Sequence, residues 1–103
     1  MAKIAAIVPD LFFASKMKET LTAAGHEVML VTGEFPAADV LIVDLDAAGP
    51  AAAPAGVPRL GFYSHVEVET RRWAEEAGFD LVVPRSRMAR EMPELVSRLF
   101  GSA

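Results

Sequence analysis

The chain has 103 residues, the size of one small domain, and its 52% hydrophobic and 23% charged content fits a folded core rather than a disordered tail. It contains no cysteine, which excludes a disulfide scaffold, a thiolate metal site and a cysteine nucleophile. A formal net charge of −4 offers no basic face for a nucleic acid, and no apolar run nears the roughly 18 residues that span a bilayer.

The opening run Lys3-Ile4-Ala5-Ala6-Ile7-Val8 stops at Pro9-Asp10 and suits a central strand of a parallel sheet, buried on both faces. Phe13, Met17 and Leu21 then recur at four-residue steps with Lys16, Lys18 and Glu19 between them, an amphipathic helix closed by Gly25. Glu27 to Thr32 reads as a second strand and Val40-Leu41-Ile42-Val43 as a third, ending on Asp44-Leu45-Asp46. Pro58 to Tyr63 is a fourth, less apolar strand. At Ser64 the pattern turns helical, with Ser64 and Glu67 spaced as a capping box and Val66, Trp73 and Ala77 on one predicted face. Gly78 closes that helix, Leu81-Val82-Val83 makes a fifth strand, and Met88, Met92, Leu95, Val96 and Leu99 show helical spacing with Pro93 expected in a first turn.

Strands alternating with helices imply right-handed crossovers and a parallel sheet. Two crossovers look depleted. Only Gly33 to Ala38 separates the second and third strands, and Ala47 to Val57 carries Gly49, Pro50, Pro54 and Gly56 against a regular helix. The expected architecture is a single α/β domain over residues 1–103, a three-layer doubly wound sheet of five parallel strands. Three helices should be well formed, and the second and third crossover helices shortened or lost. Charge is also segregated: residues 1–58 hold three lysines and seven acids, and residues 59–103 hold seven arginines and seven acids. A fold that sets an acidic edge of the first half against basic groups of the second would explain this.

This order of elements resembles the receiver domain of bacterial response regulators, with the flavodoxin-like strand order 2-1-3-4-5. In receivers an acidic pair follows the first strand; here those positions read Pro9-Asp10, so one acid is missing. The resemblance places the phosphoacceptor at Asp44, in DVLIVDLD. It places the hydroxyl residue after the fourth strand at Ser64, and the lysine and proline after the fifth at Arg85 and Ser86, in VVPRSRM. The segments LFFASKM, FYSHV and VVPRSRM are also similar to those of short uncharacterised bacterial proteins of this type.

Ligands of doubly wound sheets gather at the carboxyl ends of the strands. There the chain collects Asp10, Asp44, Asp46, Ser64, His65, Arg85, Ser86 and Arg87, with Ser15 and Lys16 of the first helix near the same rim. Asp10 and Asp46 are candidate magnesium ligands, and Ser64, Arg85 and Ser86 candidate anion or phosphoryl contacts. Two mechanisms follow. In the first, Asp44 attacks a phosphoryl donor while Asp10 and Asp46 hold magnesium, and Ser64 or Arg85 reads the new charge. In the second, Arg85 forms a bidentate pair with Asp44, no metal binds, and the domain acts only through its surfaces. Simpler roles compete at most positions. Asp10 and Asp44 can cap loops at strand ends and Ser64 can cap a helix. His26 and His65 share no metal spacing. Trp73, Met88 and Met92 lie on apolar faces and read as core, and Arg87 and Arg90 beside Glu91 and Glu94 read as a solvated helix face.

No Walker, dinucleotide-binding or G-x-S-x-G motif is present. The expected role is therefore not enzymatic. It is a stand-alone cytoplasmic regulatory or protein-interaction module, a pseudo-receiver with at most weak phosphoacceptance at Asp44. No cofactor is expected beyond magnesium, and that only if Asp44 accepts phosphoryl. The expected partner is a protein or a second copy, through the face of the fourth helix, fifth strand and last helix, drawing on Val68, Arg72, Arg87, Arg90 and Glu91. Neither nucleic acid nor membrane is expected. The alternative is a small-ligand or anion-binding module at the carboxyl edge of the sheet.

Overall fold

The computed structural model describes residues 2–48, 53, 54, 56–64 and 68–101. Five strands, β1 (Lys3–Ile7), β2 (Glu27–Leu30), β3 (Val40–Asp44), β4 (Arg59–Tyr63) and β5 (Leu81–Pro84), form one parallel sheet in the order β2-β1-β3-β4-β5. The helices are α1 (Leu11–Ala23), α2 (Val68–Glu76) and α3 (Arg85–Gly101). Among the described residues neither the β2–β3 nor the β3–β4 connection holds a helix, as the short link and the Gly/Pro-rich link predict.

The two faces of the sheet are built from alternate residues, because successive side chains in a strand point to opposite sides. Ile4, Ala6, Val28, Val40, Ile42, Leu60, Phe62 and Val83 face α1 and α3, where Met17, Leu21, Met88, Met92, Leu95 and Val96 complete the larger core. Ala5, Leu41, Val43 and Tyr63 face the other way, against α2 and loop residues such as Leu45, Ala53 and Phe79. Gly61, in the middle of β4, makes this thin layer close. A Cβ there would stand 2.8 Å from Leu45 Cδ1 and 3.0 Å from Phe79 Cδ2, so only a glycine lets both side chains lie on the strand.

Both α1 and α2 end in the same way. Gly25 and Gly78 take φ of 96° and 90°, a region that a side chain disfavours. Gly25 N–H donates to Thr22 O and His26 N–H to Leu21 O, while Gly78 N–H donates to Glu75 O and Phe79 N–H to Ala74 O. These paired bonds satisfy the last carbonyls of each helix and turn the chain into the next strand. Arg59 then ties the end of α2 to the sheet. It is only 6% exposed, and its guanidinium donates to Ala53 O at 3.2 Å and Ala77 O at 2.6 Å while lying 4.8 Å from the centroid of the Phe79 ring. Asp80 closes the same corner by accepting the Arg59 N–H at 2.8 Å.

Three expectations need correction. Trp73 is not core: it is 55% exposed, and Ala77 is exposed too, while Ala74 is the buried position of α2. With Leu45 and Phe79 already over Gly61, the space beneath α2 takes a methyl group rather than an indole. The last helix also starts earlier than its apolar spacing implies, at Arg85 directly after β5. Pro93 lies within it, just past a break at Glu91 (φ −118°, ψ 20°), so it opens the second segment of a kinked helix rather than the helix as a whole. The capping residue Glu67, with His65 and Val66, lies outside the described residues.

Replacing Gly61 by valine should therefore overpack the thin face. The expected loss is about 2 kcal/mol, with a fall of roughly 10 °C in the thermal midpoint, measured by calorimetry; an unchanged midpoint would show that Leu45 and Phe79 give way freely.

Candidate functional site

Asp10 ends the turn after β1 and caps α1. Its Oδ1 accepts the N–H groups of Phe12 at 3.0 Å and Phe13 at 3.2 Å, which satisfies two donors at the helix start. Its Oδ2 accepts from Arg85 Nη2 at 2.5 Å. The Phe13 N–H, then the Arg85 guanidinium, hold this carboxyl below the ordinary aspartate range despite some desolvation.

Asp44 ends β3 and is only 5% exposed. The strand carries it there after four apolar residues, and parallel pairing of Ile7 with Val43 brings the two strand ends side by side. Oδ1 accepts the Asp46 N–H at 3.0 Å, and Asp44 O accepts from Ala47 and Ala48, so the chain turns tightly after the strand. Oδ2 faces Arg85 Nη1 at 3.9 Å. Burial raises the Asp44 carboxyl above its usual range, and the Asp46 N–H and Arg85 offset that only in part.

Arg85 joins these acids from the first position of α3. Its guanidinium lies 4.3 Å from the centroid of the Phe13 ring, and Phe13 rests on Phe62 of β4 with centroids 5.0 Å apart. The guanidinium is thus laid over an aromatic ledge that aims its charge at Asp10. The bidentate pair with Asp44 expected from the sequence does not form. Asp44 is recessed at the strand end with one oxygen already engaged, whereas the helix-cap geometry presents Asp10 Oδ2 to the guanidinium. Among the described residues Arg85 makes both of the ion pairs that join the acidic first half to the arginines of the second, one to Asp10 and one to Asp44.

The other candidates are less united. Asp46 is exposed and accepts the Ser64 N–H at 2.6 Å, which ties the ends of β3 and β4 together. Ser86 is exposed in the first turn of α3 and takes no part in the bonds among the acids. Arg87 turns to Glu91 at 3.4 Å, as Arg90 does at 3.3 Å, a solvated helix face. Ser15 and Lys16 line a shallow groove with Phe12 and Glu19 along α1. His65 lies outside the described residues.

The receiver comparison implies magnesium, and the donor set can be tested against it. Asp10 spends both oxygens on backbone N–H groups and Arg85, Asp44 has one oxygen bonded and the other facing a guanidinium, and Asp46 holds Ser64. Pro9 supplies no side-chain oxygen. As arranged, these residues do not fit a divalent cation, and among the described residues no three acidic or histidine side chains converge on one point.

No family model matches the chain, and no curated protein does. Solved structures do. NtrX from Brucella abortus, crystallised with ADP, superposes with a TM-score of 0.81 at 16% identity, over 98% of this chain and 26% of NtrX. The phosphorylated cyanobacterial phytochrome response regulator RcpA gives 0.81 at 12% identity, over 99% of this chain and 96% of RcpA. A putative response regulator from Chloroflexus aurantiacus gives 0.79 at 17% identity, over 97% and 98%. The chain has the response-regulator receiver fold. It spans about a quarter of NtrX and almost all of the other two chains. No helix among the described residues is long and apolar enough to cross a membrane.

The two aspartates should pull stability in opposite directions with pH. Asp10, lowered on folding, contributes stability that is present above the usual aspartate range and lost as pH falls through its folded value. Asp44, raised on folding, contributes stability that is present in acid and lost as pH rises through its folded value. In urea unfolding between about pH 3 and pH 7, Asp44→Asn should gain on the wild type as pH rises, and Asp10→Asn should lose ground over the same interval. Parallel curves for the two variants would contradict this assignment.

Proposed function

We propose that this protein is a pseudo-receiver, a non-enzymatic signalling module that works through its surfaces and not through a phosphorylation cycle at Asp44. The observation that carries this reading is the Arg85 guanidinium, seated on Phe13 with one nitrogen on Asp10 and another toward Asp44. A phosphoacceptor carboxylate must be ionised, reachable and backed by a cation that neutralises the incoming phosphoryl oxygens. Asp44 is buried and its ionisation is opposed by desolvation. The neighbouring cation is covalently part of the chain, and arginine does not release its charge at any physiological pH. Arg85 therefore substitutes a permanent monovalent charge for an exchangeable one, and Asp10 stays paired with it without a signal. The anion-site alternative finds less support, since the Arg85 charge is already paired with Asp10 and Ser86 stands apart.

A surface role needs a contact face, and the proposed one draws on α2, β5 and α3. Trp73 stands 55% exposed on α2 with Arg72 exposed beside it, and Arg87, Arg90 and Glu91 follow on α3. Large exposed aromatics flanked by arginine are the usual anchors of protein interfaces. A protein partner or a second copy is the fitting occupant; the side chain of Val68, expected on this face, lies outside the described residues.

Intact mass after incubation with a small phosphoryl donor and magnesium tests the first part. Wild type and Asp44→Asn should both stay at their starting mass. A phosphoryl-sized gain in wild type that vanishes in Asp44→Asn would make this a working receiver. Sedimentation velocity tests the second: any self-association should fall at least fivefold in Trp73→Ser, whose exposed position leaves the fold intact, and an unchanged profile in an associating wild type would move the interface elsewhere.

A further inference from the structure

A crevice of about 680 Å³ opens at the carboxyl edge of the sheet on the β2 side, separate from the α2–β5–α3 face. Topology produces it. The connection leaving β1 runs to α1 on one face, whereas the turn leaving the adjacent β3 passes to the other. Chains that part in this way leave a gap, the switch point at which doubly wound folds take ligands. Leu11 and Ala14 of α1 form one wall, Ala47 and Ala48 after β3 the other, and Val8 and Leu30 extend the wall along the ends of β1 and β2. The missing helix between β2 and β3 leaves this end uncovered, and Leu11 and Leu30 are 82% and 45% exposed there. The volume lies within the range that encloses a small organic molecule.

One group gives the crevice a charge preference. Glu34, in the link after β2, is the only ionisable side chain lining it among the described residues, and it makes no ion pair or hydrogen bond there. Among the described residues no lysine or arginine lines the crevice, so an anionic amphiphile would bury its body against these walls with its head beside an unpaired carboxylate.

We propose that this crevice is a binding site for a small organic cation, an aromatic or aliphatic body carrying a single ammonium group. The body displaces water from the Leu11, Leu30 and Ala48 walls, and the ammonium group lies by Glu34 at the rim. The site is independent of the charge state of Asp44, so it stands or falls separately from the pseudo-receiver reading.

Three probes with the same bicyclic body test it: naphthylmethylamine as the cation, naphthylmethanol as the neutral form and naphthoate as the anion. Each is titrated into the protein and followed by two-dimensional amide NMR. Saturable shifts are expected over Leu30 to Glu34 and at Ala47 and Ala48, with the cation about threefold tighter than the alcohol and the anion weakest. Glu34→Gln, at an exposed position, should keep the amide spectrum of the fold and bring the cation and alcohol to equal affinity. Leu30→Lys, on an edge strand that tolerates lysine, should weaken the cation at least tenfold. Shifts that do not saturate, shifts confined to α2 and α3, an anion as tight as the cation, or a preference that survives in Glu34→Gln would each overturn the proposal.

Discussion

The parallel pairing of β1 with β3 at the centre of the sheet is the constraint from which the rest follows. Its register sets Ile7 against Val43, so the turn after β1 and the end of β3 stop at the same level. Asp10 and Asp44 are brought together by that register across a separation of 34 residues in the chain, with no contact between them required. The same pairing fixes the fork between the two outgoing connections. One strand pair thus positions both the acidic site and the apolar crevice.

On the proposed pseudo-receiver reading, the site differs from a phosphorylation site in the origin of its positive charge. A bound metal ion comes and goes, and its coordination can respond to a phosphoryl group. A guanidinium on a helix, stacked on Phe13 and bonded to Asp10, is present whenever the protein is folded. Its attraction for Asp44 at 3.9 Å is weaker than its bond to Asp10, which leaves the buried carboxyl with its raised proton affinity. On that proposed reading the arrangement is a static electrostatic state in place of a switch.

The thin face of the sheet follows from two crossovers that hold no helix among the described residues. Gly61 admits Leu45 and Phe79 where a helix would otherwise lie, and Arg59 spans the remaining gap between the 53–54 segment and the end of α2. A buried guanidinium satisfied by carbonyls and an aromatic ring substitutes polar bonds for apolar area. This economy leaves α2 with one small buried residue among its described side chains and turns Trp73 outward, which is how a shortened fold comes to carry an exposed indole.

The sequence alone determined the elements and the sheet. Apolar runs ending at Asp10 and Asp44, glycines at 25 and 78, and two links too short or too rich in glycine and proline for helices are local signals, and each depends on neighbours within a few residues. The nearness of Asp10, Asp44 and Arg85 was also legible, because the fold class sends strand ends to one edge. Only the tertiary structure decided which acid Arg85 takes, since that depends on the Phe13 ledge and on the oxygen atoms already spent on backbone donors. Burial of Arg59, exposure of Trp73 and the crevice at Glu34 were likewise beyond the sequence. Each is set by the space left between elements far apart in the chain, and hydrophobic spacing along one element carries no measure of that space.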